Sequence, residues 1–156
     1  MKRVLVLCAI AAAVVGVTAA QAAVVTNDKE TIPFSVFVPC ANGGAGEWVS
    51  GTIVLHTLIS ETLNGNNFSV KFQFQPQGGD LVGETTGDKY RPTGVTHGNF
   101  KGSFQNGQYT DTFVNNFRII GPGPENNYLV HDVVHFTINA NGEVTVSHSI
   151  NSVECK

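Results

Sequence analysis

Apolar residues recur at every second position over most of the chain, the period of a half-buried β-strand. The clearest stretch sets Phe68, Val70, Phe72 and Phe74 against Ser69, Lys71, Gln73 and Gln75, one face apolar and the other wet. A second sets Tyr109, Phe113, Phe117 and Ile119 against Thr110, Thr112, Asn116 and Arg118, with Asp111 and Asn115 interrupting the apolar side. A third sets Tyr128, Val130, Val134, Phe136 and Ile138 against His131, His135, Thr137 and Asn139, with Asp132 on the apolar parity. Ile32, Phe34, Val36 and Val38 read as the inward set of a first strand, and Val144, Val146, His148 and Ile150 as that of a last one. With Trp48–Ile59 and Tyr90–His97 the pattern predicts seven strands, and Leu81–Glu84 offers a short eighth. Val54–Leu63 can also be written as a helix with Leu55, Leu58, Ile59 and Leu63 on one side; its β-branched residues and the run Val49, Ile53, Leu55 favour a strand.

Turn chemistry falls between these segments. Asn64-Gly65, Asn106-Gly107 and Asn141-Gly142 are hairpin signals, because Asn and Gly accept the positive φ of a tight reversal. Gly121-Pro122-Gly123-Pro124 fits neither helix nor inner strand and must connect two elements. No helix-length segment is left to make a parallel crossover, so the strands are expected to form an antiparallel meander. Gly51 and Gly94, isolated within strand patterns, suggest bulges or bends. About eight strands suffice to close a small barrel, so the expected fold is a single antiparallel β-barrel, with a two-sheet β-sandwich as the alternative.

Composition narrows the setting. Lys2 and Arg3, the apolar run Val4–Ala20 and the small-residue pattern Ala20-Gln21-Ala22 read as a cleaved export signal over residues 1–22, which leaves residues 23–156 as one domain. The apolar run is shorter than the roughly 20 residues of a spanning helix, and no later segment offers one. Beyond residue 22 the chain keeps 7 Lys and Arg against 12 Asp and Glu, a formal charge of −5, which argues against a nucleic-acid partner. The expected location is the periplasm or the outside of a bacterial cell. Two cysteines remain there, Cys40 and Cys155, and in an oxidising compartment an even count reads as a disulfide.

Motifs for chemistry are sparse. His131 and His135 are four residues apart, which on a strand separates them by roughly 13 Å, too far to share one ion. His56, His97 and His148 sit singly on other strands. No nucleophile elbow and no phosphate-cradling glycine loop occurs, so no catalytic residue, metal or cofactor is assigned. His148 on the inward parity, with Asp111 or Asp132, is the one arrangement that could serve an acid–base enzyme.

Pro39-Cys40-Ala41-Asn42-Gly43-Gly44, Thr86-Gly87-Asp88-Lys89-Tyr90 with Gly94-Val95-Thr96, and the ending Val153-Glu154-Cys155-Lys156 resemble a family of small secreted bacterial proteins to which no activity is attached. The Gly-Asp-Lys-Tyr stretch is also similar to the glycine-flanked aromatic strand of allene oxide cyclase and dirigent-type barrels, whose fold has eight strands. Neither likeness implies a site residue. The resulting expectation is a monomeric, non-enzymatic barrel that binds a small apolar ligand in an interior lined by Phe34, Phe68, Phe72, Phe113, Phe117 and Phe136, with His148 among them. Two alternatives are a barrel-type isomerase or hydrolase, and a cell-surface or adhesion component contacting glycans through its Asn, Gln and Thr faces.

Overall fold

A computed structural model describes residues 24–123 and 126–156, so the expected export signal lies outside the described residues. Seven strands follow one another: β1 (Val24–Val38), β2 (Glu47–Asn64), β3 (Asn67–Gly83), β4 (Lys89–Ser103), β5 (Gln108–Ile120), β6 (Asn127–Ile138) and β7 (Val144–Cys155). Each pairs antiparallel with the next, giving one meander sheet in the order β1-β2-β3-β4-β5-β6-β7. Gly65, Gly107 and Gly142 turn three of the hairpins with φ of 57°, 63° and 80°. The segment that could be written as a helix is the second half of β2.

The expected eighth strand is absent as a separate element. Leu81–Gly83 is the end of β3, carried past an irregularity opposite Ile53 and Leu55. The count matters for closure. In a meander of seven strands β1 and β7 run the same way, so they could join only through a parallel ladder, and the hydrogen-bonded order does not join them. The sheet is therefore open, not the closed barrel expected. Its curl is nevertheless strong: Phe34 of β1 and Phe117 of β5 meet with ring centroids 5.4 Å apart, although three strands lie between them in the sheet.

The register defines two faces. Paired residues point the same way, so the inner face, the one that carries the core, holds even residues of β1, odd residues of β2, and even residues of β4 and β6. Val38, Val49, Ile53, Leu81, Tyr90 and Ile119 are its buried members, with Cys40 and Ala41 from the loop after β1. Ile32, Phe34, Val36, Leu55, Phe117 and Tyr128 pack against them. All of these lie toward one end of the sheet. The Cys40–Cys155 disulfide closes the same end, holding the two Cα atoms 5.6 Å apart, about one inter-strand spacing.

Two glycines let the strands bend. Gly51 and Gly94 have φ of 149° and 101°, and a Cβ at either would lie 1.9 Å from a carbonyl oxygen, of Asp80 and Asn116 respectively. The ladder between β4 and β5 passes Gly94 without a register shift, so Gly94 marks a bend and not a bulge.

The disulfide bounds a loop of 115 residues. Exchanging both Cys40 and Cys155 for Ser is expected to lower the free energy of unfolding by about 4–5 kcal/mol in a guanidinium titration, whereas a loss below about 1 kcal/mol would mean the core alone holds that end.

Candidate functional site

Charge divides between the two faces. Among the strand residues, Asp28, Glu30, Glu47, Glu61, Asp111 and Asp132 have the inner parity, and no Lys or Arg does. Lys29, Lys71, Lys89, Arg91, Lys101 and Arg118 all have the outer parity and are exposed, accompanied there by Asp80 and Glu154. Only one ion pair forms among the described residues, Lys156 to Glu154 at 2.7 Å, so the inner carboxylates have no cation beside them.

Those carboxylates differ in how they are satisfied. Glu47, 3% exposed, accepts hydrogen bonds from the backbone N–H of Thr85 (3.0 Å) and of Thr86 (3.0 Å), from the Thr86 hydroxyl (2.8 Å) and from the Tyr90 hydroxyl (3.0 Å). Burial is the largest single influence and pushes its pKa up, but the donors of Thr86, Thr85 and Tyr90 together outweigh it, leaving the carboxyl below its ordinary range. Burial and the neighbouring Glu47 push the Tyr90 phenol well above its ordinary value. Gly83 makes room for this cluster, since a Cβ there would fall 2.5 Å from the Glu47 carboxylate. Glu47 is thus a structural anchor that ties the turn after β3 to β2 and β4.

Asp132 belongs to a chain of polar groups that crosses four strands. Thr96 donates to Asn115 Oδ1 (2.8 Å), Asn115 Nδ2 donates to one Asp132 oxygen (3.1 Å), and Asn151 Nδ2 donates to the other. The register puts these four residues directly opposite one another. Asp111 is different. Its Oδ1 is buried and has no hydrogen-bond partner. It faces Phe100 on β4 and Phe136 on β6, and Tyr109 and Phe113 are the next inner residues of its own strand. The ring system continues outward through Phe68, whose centroid lies 5.3 Å from that of Phe100 and 6.1 Å from that of Tyr109, and through Phe72, 6.5 Å from Phe113. One carboxylate oxygen without a donor therefore sits within a frame of four aromatic rings.

Of the residues singled out from the sequence, Phe68, Phe72, Phe113 and Phe136 line this half-buried inner surface. Phe117 belongs instead to the core at the disulfide end, against Phe34. His148 is on the outer face, opposite His135, so the inward position expected for it is corrected. The cause is an irregularity in the β6–β7 pairing: Ile138 pairs with Val144 but Thr137 with Val146, which leaves Thr145 over and reverses the parity. The inner residues of β7 are Ser147, Ser149, Asn151, Val153 and Cys155. The sheet itself thus separates His148 from Asp111 and Asp132, so the acid–base arrangement read from the sequence does not assemble.

All five histidines have the outer parity. Thr112 Oγ1 lies 2.8 Å from His135 Nδ1, and His131 Nδ1 lies 2.6 Å from Asn116 Oδ1. No three His, Cys, Asp or Glu side chains come together in a metal-holding group among the described residues. The outer face also bears an open groove of about 570 Å³ lined by Leu58, Lys71, Gln73, His97, Asn99 and Thr112, among others. The sequence marks Asp111 as an acid on the apolar parity of an aromatic strand, but as a partner of His148; the structure keeps its inner position and removes that partner.

No protein-family model, curated protein or solved structure matches the chain.

Glu47 gives a pH prediction with a definite sign. A carboxyl whose folded pKa is depressed stabilises the fold above its unfolded value, roughly pH 4.3, and loses that contribution as pH falls through the lower folded value. Glu47→Gln is expected to cost about 1–3 kcal/mol at neutral pH and to make the acid limb of the stability curve shallower, as read by thermal unfolding across pH; an unchanged acid limb would contradict this role.

Proposed function

We propose that the protein is an exported, non-enzymatic binding module whose inner face takes a small apolar cation, an organic ammonium group carrying hydrocarbon. The observation that carries this reading is Asp111, a carboxylate with an unmet buried oxygen, framed by Phe100, Tyr109, Phe113 and Phe136 on a face with no basic residue. Aromatic faces attract cations through their quadrupole, and a carboxylate with one buried, unpaired oxygen adds a direct charge partner. Phe68 and Phe72 extend the apolar surface on which the hydrocarbon part would lie. The disulfide fits a protein that works in an oxidising compartment outside the cytoplasm, and among the described residues no helix is long and apolar enough to cross a membrane.

The test is calorimetric titration with hexylammonium, whose N–H groups can donate to Asp111, and with hexanol and hexyl sulfate. The ammonium compound is expected to bind best, and Asp111→Asn, which keeps the shape and removes the charge, is expected to weaken it by roughly tenfold or more with little effect on hexanol. Equal binding of the sulfate, or an Asp111→Asn variant that binds like the parent, would sink the proposal.

The outer groove favours a second reading, contact with a surface glycan, because Lys71, Gln73, Asn99 and Thr112 present hydrogen-bonding groups beside the apolar side chains of Val25 and Leu58. On a glycan array, specific binding lost in a Lys71→Ala, Asn99→Ala double variant would support it. An inert array would remove it.

A further inference from the structure

The two edges of the sheet are built differently. β1 carries Asp28, Lys29, Glu30 and Pro33, the charges and imino acid that discourage another strand from adding to an edge. β7 reads Val144-Thr145-Val146-Ser147-His148-Ser149-Ile150-Asn151-Ser152-Val153 before its first charge at Glu154, with no Pro and no Gly. Its apolar side chains are exposed on both faces: Val146 at 45% and Ile150 at 45% on the outer, Val144 at 62% and Val153 at 49% on the inner. The edge of β7 away from β6 has no strand beside it in the sheet order, so it presents a row of backbone donors and acceptors over twelve residues.

The gap between β1 and β7 does not accept a full eighth strand. Inserting one needs two inter-strand spacings, roughly 9.6 Å, and the disulfide holds the ends of that gap 5.6 Å apart. A strand added to the free edge of β7 must therefore pair with the part of it away from Cys155.

We propose that the strand is β7 of a second copy of this chain, paired antiparallel about a twofold axis that passes midway between the two His148 residues. A twofold axis normal to the sheet beside its edge strand pairs that strand with its copy antiparallel, an arrangement that gives a closed symmetric dimer. Charge selects β7 for it: from Val144 to Ser152 it places no charged group opposite a like one, whereas β1 paired about Lys29 would set Lys29 against Lys29 and Asp28 against Glu30. Centring on His148 sets Val146 against Ile150 of the second copy twice on the outer face, and Ser147 against Ser149 twice on the inner. The outer row Thr112, His135, His148 then continues into His148 and His135 of the second copy. The two sheets become one, with both inner faces on the same side.

Sedimentation velocity of the disulfide-intact chain, from about 5 to about 500 µM, is expected to show a reversible monomer–dimer equilibrium. Val146→Lys with Ile150→Lys, both at exposed positions, is expected to weaken the dimer by at least roughly tenfold, with the circular dichroism and the Cys40–Cys155 bond unchanged. Register is read separately: opposed Cα atoms in an antiparallel pair lie about 4.5–5.5 Å apart, so His148→Cys should form a covalent dimer on oxidation and Ser149→Cys should not. A monomer at every concentration, a dimer indifferent to the lysines, open-ended oligomers, or cross-linking through Ser149→Cys and not His148→Cys would each overturn the proposal.

Discussion

The rest of the structure depends on one covalent constraint, the bond between Cys40 and Cys155. Seven strands in a meander leave the first and last parallel, so the antiparallel ladder that joins every other neighbour is denied to this pair. The disulfide does at one end what a ladder would have done along the whole seam. Behind it lie the fully buried residues Val38, Val49, Leu81 and Ile119 and the contact of Phe34 with Phe117. Farther from it the inner face opens, Asp28, Glu30 and Glu61 become exposed, and β7 is left with exposed side chains on both faces. The molecule has a closed end built for stability and an open end with unsatisfied surface, and Asp111 lies toward the latter.

Period-two alternation does more here than separate core from solvent. On the outer face the basic side chains extend into water, where a long aliphatic stem and a charged head cost little. On the inner face the acids meet a partly closed, aromatic surroundings in which an unpaired carboxylate is costly. Glu47 meets that cost with four neutral donors. Asp132 meets it with two amides. Segregation of this kind keeps the inner field negative, because no Lys or Arg is within the face to cancel it.

Much of the fold was legible in the residues. The alternating segments of β3, β5 and β6 point inward where their apolar positions said they would, and the three Asn-Gly pairs turn hairpins. The pairing of Cys40 with Cys155 followed from compartment and parity of number. What could not be read has physical causes. β1 begins at Val24, but its first half is an edge with Asp28, Lys29 and Glu30, so no core imposes a period on it. Leu81 looked like a separate strand because an irregularity near Gly78 and Gly79 interrupts the alternation without ending β3. β7 was read with the wrong face inward because an edge strand with both faces wet can carry Val146 and Ile150 outward at little cost. Cys155 held the corrective signal: it must face inward to meet Cys40, and it shares parity with Ser147, Ser149 and Asn151, not with His148.

The contrast between Asp132 and Asp111 carries the argument about function. Both are on the inner face and half-buried, and both interrupt an otherwise apolar run. Asn115 and Asn151 stand directly across from Asp132, so its charge is spread over donors supplied by β5 and β7, and removing it would leave those amides unmet. Asp111 has Phe100 and Phe136 in the equivalent positions, which offer no N–H or O–H donor. A fold selected only for stability gains nothing from a carboxylate there, since a Leu or Val would pack against the same rings without desolvating a charge. The proposed ligand supplies what this position lacks, because an ammonium group carrying hydrocarbon would meet the rings and the carboxylate together.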